Sequence, residues 1–250
     1  MLEITNHGKV REIRLNRPPA NAMDPELIAA LTQALDRSGT EADAVVVSGN
    51  PGMFSAGLDI PALLQLDREG ITRFWRAFLH LLHVIAHMPV PTAFALTGHA
   101  PAGGIVISLF GDYRIMSAGK YKTGLNEVQV GLVVSPVIKN ALVRLLGPHP
   151  AEKILVPGTM LSPDQALAMG LVDELAETPE STVARAIAWC DHLLSLPRNA
   201  MSLTRQMSRQ DLRDYFEQED PYGVEVFVDL WFSEMTQSTL RGMVERLKKK

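Results

Sequence analysis

Cysteine is nearly absent: Cys190 is alone among 250 residues, so no intrachain disulfide can form. It stands beside Trp189 in an apolar-periodic stretch and reads as buried and inert, since no nucleophile signature surrounds it. A reducing compartment suits such a chain. Basic runs are equally scarce. The net charge is −4, and Lys248-Lys249-Lys250 is the single cluster, read as a solvated tail. A nucleic-acid binder normally shows a basic stripe, so that class is set aside. No apolar run approaches the ~18 residues of a membrane-spanning helix. Met1 leads into strand-like sequence without a basic-then-apolar leader, so the expected setting is cytoplasmic, with no membrane partner. Neither GxGxxG nor a GxxxxGK run ending in Ser or Thr occurs, which removes the usual phosphate loops. Repeats and low-complexity tracts are missing too.

What remains is ordinary globular composition, 46% hydrophobic and 21% charged, enough to bury a sizeable core. Val10 to Leu15 alternates like a strand. Asp24-Pro25 offers an N-cap and a proline at the first helical position, and Leu27, Ile28, Leu31 and Leu35 carry the helix to about Arg37. Ala44 to Ser48 and Thr92 to Leu96 read as buried strands, with a helix over about 69–88 between them. Gly98 to Gly104 reads as a loop opening a helix from Ile105 to Phe110. A strand follows at Asp112 to Met116, then a helix from Pro136 to Leu146, stopped at Gly147-Pro148. Ser162-Pro163-Asp164-Gln165 has the form of a capping box. Its helix ends at Gly170, before a short strand at Leu171 to Glu174. Residues about 180–195 and 198–250 read as helical. Strands alternating with helices imply parallel pairing and an α/β core. We expect a core over 1–196 and a helical region over 197–250. That region's Phe227, Leu230, Trp231, Phe232 and Met235 would pack on the core or on another subunit.

Two glycine loops and one carboxylate carry the chemistry. Phe54-Ser55-Ala56-Gly57-Leu58-Asp59-Ile60 follows a strand and its turn. Gly98-His99-Ala100-Pro101-Ala102-Gly103-Gly104 lies between a strand and a helix. Small residues let backbone approach a ligand, and together the loops could present two N–H donors to one developing oxyanion. Each loop taken alone is equally a tight turn. Glu127 sits among apolar or neutral neighbours, where desolvation raises a carboxyl pKa toward that of a base working near neutrality. A surface glutamate on a loop is the plain alternative.

These segments, in this order, resemble the crotonase, or enoyl-CoA hydratase/isomerase, superfamily over almost the whole chain. Leu15-Asn16-Arg17-Pro18 with Asn21-Ala22 resembles its N-terminal motif, and Thr159 to Asp173 its later helix-strand segment. The resemblance implies an α/β fold: a spiral of ββα units with a C-terminal helical trimerisation region, assembled as trimers or hexamers. It implies an acyl-CoA thioester substrate, with an oxyanion hole of Leu58 and Gly103 N–H and acid/base catalysis by Glu127. Ala56, Asp59, Ile60, Gly104 and Asn126 would contact substrate or its coenzyme A. No metal and no cofactor beyond the substrate's own coenzyme A is expected. Hydratases of the superfamily carry a second glutamate where this chain has Val106. The surroundings of Glu127 are similar to those in mitochondrial-type Δ3,Δ2-enoyl-CoA isomerases. Isomerisation is therefore expected, with hydration by Glu127 alone as the alternative and a non-catalytic acyl-CoA-binding trimer as the alternative of another class. Trp75, Phe78, Leu132 and Val134 are candidates for shaping acyl specificity.

Other polar groups have plainer readings. His80, His83 and His87 form one stripe of a helix, but no acidic residue or cysteine joins them to make a zinc site. His99 reads as packing or surface. Asp59 reads as the cap of the helix after its loop. Arg17 either meets a coenzyme A phosphate or faces solvent at a turn.

Overall fold

The computed structural model describes residues 1–217 and 223–248. An antiparallel hairpin, β1 (Leu2–His7) and β2 (Val10–Leu15), starts the chain, and α1 (Pro25–Glu41) follows. Asp24 caps α1 by accepting from Leu27 N–H at 2.8 Å. The helix runs four residues past the expected Arg37, because Ser38 turns inward and bonds Ala34 O at 2.6 Å.

From here the chain winds as a spiral. Each turn adds one strand to a large sheet and one to a small sheet, and the first two close with a helix. The first turn is β3 (Ala44–Ser48), β4 (Gly52–Met53), α2 (Ile60–Leu63) and α3 (Arg68–His87). The second is β5 (Thr92–Leu96), β6 (Gly98–Pro101) and α4 (Gly103–Leu109). The third is β7 (Tyr113–Ser117) and β8 (Thr123–Gly124), with a 3-10 turn at Glu127–Val130. Then come α5 (Pro136–Leu146), α6 (Pro148–Leu155), α7 (Pro163–Met169), β9 (Glu174–Ala176) and α8 (Pro179–Leu194). Four helices finish the described chain: α9 (Arg198–Ser208), α10 (Gln210–Asp214), α11 (Val224–Trp231) and α12 (Glu234–Lys248).

The large sheet has the order β1-β2-β3-β5-β7-β9 and is parallel from β2 onward. Every residue of β3 and β5 is buried. The reason is coverage of both faces: Val45, Val47 and Phe94 pack into the main core, while Ala44, Val46, Ala93 and Ala95 pack toward α8. A continuous apolar run is what such a strand requires. Cys190 sits in this second layer, fully buried, with its thiol pushed up to about 12 by desolvation. The small sheet, β4-β6-β8, is parallel throughout.

Several expectations need correction. Gly98 to Pro101 is a strand, not a loop, so the segment opens as sheet and turns to helix only at Gly103. The strand expected at Leu171–Glu174 begins at Glu174 instead. Leu171 and Val172 are buried from an irregular segment, so their apolarity reflects core filling. The helix expected over Pro136–Leu146 does stop at Gly147, and a separate helix, α6, begins at Pro148.

The helices after residue 197 have no core of their own. Leu212, Val224, Phe227, Trp231 and Leu240 belong to the main core. Phe227 stacks on Trp75 at 3.7 Å between ring centroids. Asp112, on the loop before β7, receives Arg205 at 2.8 Å and Arg209 at 3.0 Å, which pins α9. Of the tail residues expected to pack, Met235 is 76% exposed.

Candidate active site

The small sheet places the site. The loop after β4 carries Leu58, the loop after β6 carries Gly103, and the segment after β8 carries Glu127. In a parallel sheet the carboxyl ends of neighbouring strands lie side by side, so three segments distant in sequence converge.

The first loop is held by a polar network. Asn21, at φ 50°, donates from Nδ2 to Phe54 O at 3.0 Å. Its carbonyl accepts from Ser55 Oγ at 2.7 Å, and that Oγ accepts from Gly57 N–H at 3.1 Å. Met23 grips the loop on both sides of Leu58: Met23 N–H donates to Gly57 O at 2.8 Å, and Asp59 N–H donates to Met23 O at 2.9 Å. Leu58 N–H itself finds no acceptor among the described residues.

The second loop meets the first. Ala102 adopts φ 45° and ψ −123°, a conformation that costs a residue with a Cβ on the order of 1–3 kcal/mol. Its N–H is anchored to Gly124 O at 2.8 Å. Gly103 then opens α4, and its N–H also lacks an acceptor among the described residues. A Cβ on Gly57, whose φ is +85°, would stand 3.2 Å from Gly103 N. A Cβ on Gly104 would stand 2.6 Å from Ser55 O. Both glycines are what lets the two backbones touch.

Glu127 begins the 3-10 turn, and its Oε2 is buried without a hydrogen-bond partner among the described residues. Desolvation raises its pKa to about 7, against a smaller opposing effect of its own backbone N–H. It faces a cavity of about 240 Å³, shared with Ala56, Leu58, Ile60, Gly103 and Asn126. Trp75, Phe78, Leu132 and Val134 line the same cavity, as does Val106. Among the described residues Glu127 is the one ionisable side chain in that lining.

Two expected contact residues do not reach the cavity. Asp59 accepts from Ala62 N–H at 3.1 Å as the cap of α2, and its other oxygen meets Arg17 at 2.8 Å. Gly104 packs against Ser55. Arg17 also pairs with Asp24 at 2.7 Å, so it is not simply a solvent-facing turn residue. It is a clamp between α1 and the first loop. His99 packs, as its Nδ1 accepts from Lys122 N–H at 3.1 Å and its ring meets Tyr121 edge-on. His83 stacks on His87 at 4.0 Å, and burial, reinforced by its two histidine neighbours, lowers its pKa. No cluster of His, Cys, Asp and Glu able to hold a metal occurs among the described residues. No helix among them is long and apolar enough to cross a membrane.

Sequence reasoning expected Phe227 to pack on the core or on another subunit, but did not assign it to the cavity. With Leu240 and Met243 of α12, Phe227 of α11 closes the cavity. The only signal was the late density of apolar residues, which does not say what they cover.

The enoyl-CoA hydratase/isomerase family matches residues 5–250. The chain belongs to that family. Among its relatives, mitochondrial enoyl-CoA delta isomerase 1 of Mus musculus is 29% identical over 255 aligned residues, spanning 100% of this chain and 88% of that protein. The probable enoyl-CoA hydratase EchA17 of Mycobacterium tuberculosis is 31% identical over 193 residues, 76% of this chain and 73% of that one. The crystal structure of human mitochondrial delta3-delta2-enoyl-CoA isomerase superposes with a TM-score of 0.92 at 27% identity, covering 99% of this chain and 98% of that one. The family's fold is therefore the fold of this chain, with its C-terminal helices in place.

Proposed function

We propose that this enzyme shifts the double bond of a 3-enoyl-CoA to give the 2-enoyl-CoA, a reaction of fatty-acid β-oxidation. One observation carries the reading: among the described residues Glu127 is the sole ionisable group lining the cavity, and Val106, where the family resemblance puts a hydratase's second glutamate, lines it too. Hydration gains from two carboxylates that orient and split a water. Moving a proton along a carbon chain needs one.

Glu127, as carboxylate, takes a proton from C2, which the thioester and the double bond both acidify. The dienolate oxygen accepts from Leu58 and Gly103 N–H, each donor contributing ~3 kcal/mol in the transition state. Glu127 then returns a proton to C4. Its pKa of about 7 lets it act as base and then as acid near neutrality. Ala56, Ile60 and Asn126 contact the thioester end of the substrate, while Trp75, Phe78, Leu132 and Val134 shape the acyl space. The chemistry calls for no resident metal or redox cofactor, and coenzyme A arrives with the substrate. We further infer a homo-oligomer, trimer or hexamer, supported by the exposed apolar side chains of Leu203, Met207 and Met235. A reducing compartment, the cytoplasm in our reading, accords with the lone buried thiol.

The test offers 3-hexenoyl-CoA and follows conjugated product, and separately offers 2-hexenoyl-CoA and follows hydration. Isomerisation should dominate. Dominant hydration would instead favour the reading suggested by the hydratase relative. Glu127→Gln should keep acyl-CoA binding and lose about a thousandfold in kcat. Acyl-CoA binding without turnover of either thioester would leave a non-catalytic binder.

A further inference from the structure

The roof over Glu127 is fastened to the turn that carries Glu127 through a buried threonine. Thr236, at the start of α12, is 1% exposed and donates from Oγ1 to Gly131 O at 3.0 Å. Its N–H donates to Ser233 Oγ at 3.3 Å, which orients the residue. Gly131 closes the 3-10 turn at φ +82°, with its N–H on Val128 O at 3.2 Å. The next N–H, of Leu132, reaches Glu127 O at 3.0 Å. A Cβ at Gly131 would stand 2.5 Å from Thr236 Oγ1, so helix and turn fit without room for a side chain. One and two turns beyond Thr236, the same helix delivers Leu240 and Met243 to the cavity.

We propose that Thr236 is a positioning residue: through Gly131 it locks the Glu127 turn to the α12 roof, fixing the base and keeping water out of the cavity. The inference rests on the reading of Glu127 as the base. It also supplies a reason for product choice. A dienolate in a dry cavity is protonated by the carboxyl that made it, whereas an opened roof admits water to the enoyl product. Among the described residues no other ionisable side chain lines the cavity. From α2, α3, α4, α5 and α11 it receives Ile60, Trp75 and Phe78, Val106, Ile138 and Phe227, and the α12 charges Glu234, Arg241, Glu245 and Arg246 stay outside it. The hydration of Glu127 is thus controlled by packing, with α12 the helix fastened over it.

The experiment compares Thr236→Val, which keeps the shape and loses the hydroxyl, with Thr236→Ser, which keeps the hydroxyl. For Thr236→Val we expect kcat on 3-hexenoyl-CoA to fall about tenfold, with a smaller change in KM. The acid limb of its kcat/KM profile should move to lower pH by roughly half a unit or more, as water reaches the carboxyl. Hydration of 2-hexenoyl-CoA should rise relative to isomerisation, and Thr236→Ser should restore all three. A folded Thr236→Val with an unmoved acid limb and the original product ratio overturns the proposal, as does a loss that serine does not rescue. Should Thr236→Val fail to fold, Met243→Ala opens the same roof and must move the acid limb in the same direction. An unmoved limb there also overturns it. An inactive Glu127→Gln beside an unaltered Thr236→Val defeats this inference alone, while a fully active Glu127→Gln defeats the reading of Glu127 beneath it.

Discussion

The large and small sheets are laid down by the same turns of chain, yet they are made of different material. The large sheet uses Ala-Val-Val-Val-Ser and Thr-Ala-Phe-Ala-Leu, buried on both faces, and none of its residues lines the cavity at Glu127. The small sheet uses Gly-Met, Gly-His-Ala-Pro and Thr-Gly, and each of its strands leads into a segment that does. Apolar area gives stability without regard to fine position. Close backbone approach gives position at the expense of apolar area. At Gly98 a Cβ would stand 2.0 Å from Gly52 C, and at Gly124 2.4 Å from Thr159 O. The chain has separated holding itself together from aligning the groups around the cavity.

That division can be broken from either side. The largest effect is expected at Gly98→Ala, which must push β4 from β6 and with them Leu58 from Gly103. Stability should fall by about 3 kcal/mol and kcat by about a hundredfold in the fraction that folds. Thermal unfolding beside isomerase assays would check both, and a stable, fully active variant would show that the small sheet's spacing is not what aligns the site. Val46→Ala on the large sheet removes two buried methyl groups and should cost about 2 kcal/mol. Its kcat, measured well below the lowered Tm, should match the parent enzyme. A comparable loss in kcat would mean the two sheets are mechanically coupled.

The same division explains what the sequence made legible. A β-branched run buried on both faces announces itself, so β3 and β5 were readable from Ala44–Ser48 and Thr92–Leu96. Caps are local chemistry, so Asp24, Asp59 and Ser162 could be assigned from a few neighbours, and all three accept the expected backbone N–H. A two-residue strand such as Thr123–Gly124 has no period to detect. Leu58, Gly103 and Glu127 could be named from motif resemblance, but their common placement depends on pairing between segments tens of residues apart. The ion pairs of Arg17 could not be read because its partners, Asp24 and Asp59, become neighbours only after folding. The roof was hidden for a similar reason: Leu240 and Met243 look like any apolar stripe until the cavity beneath them is known.

The smallest effect concerns the cost of placing an acid in an apolar cavity. Burial raises the Glu127 pKa from 4.5 to about 7, so the folded protein holds this proton more tightly than the unfolded chain does. Protonated Glu127 therefore favours folding. That contribution is complete below pH 4.5 and is lost as pH rises to about 7. Above that range the enzyme carries a buried charge that the unfolded chain would leave in water. Glu127→Gln removes the charge and keeps the shape, although its amide is also poorly partnered, which offsets part of the gain. We expect the variant to be more stable than the parent by about 1 kcal/mol at pH 8, with the difference shrinking toward zero near pH 4.5. Urea unfolding of both proteins across that range is the measurement. The kcat/KM of the parent should decline below pH about 7 over the same interval in which its stability rises. A variant no more stable at pH 8 than at pH 4.5, relative to the parent, would mean that water already reaches Glu127 and that the roof does not isolate it.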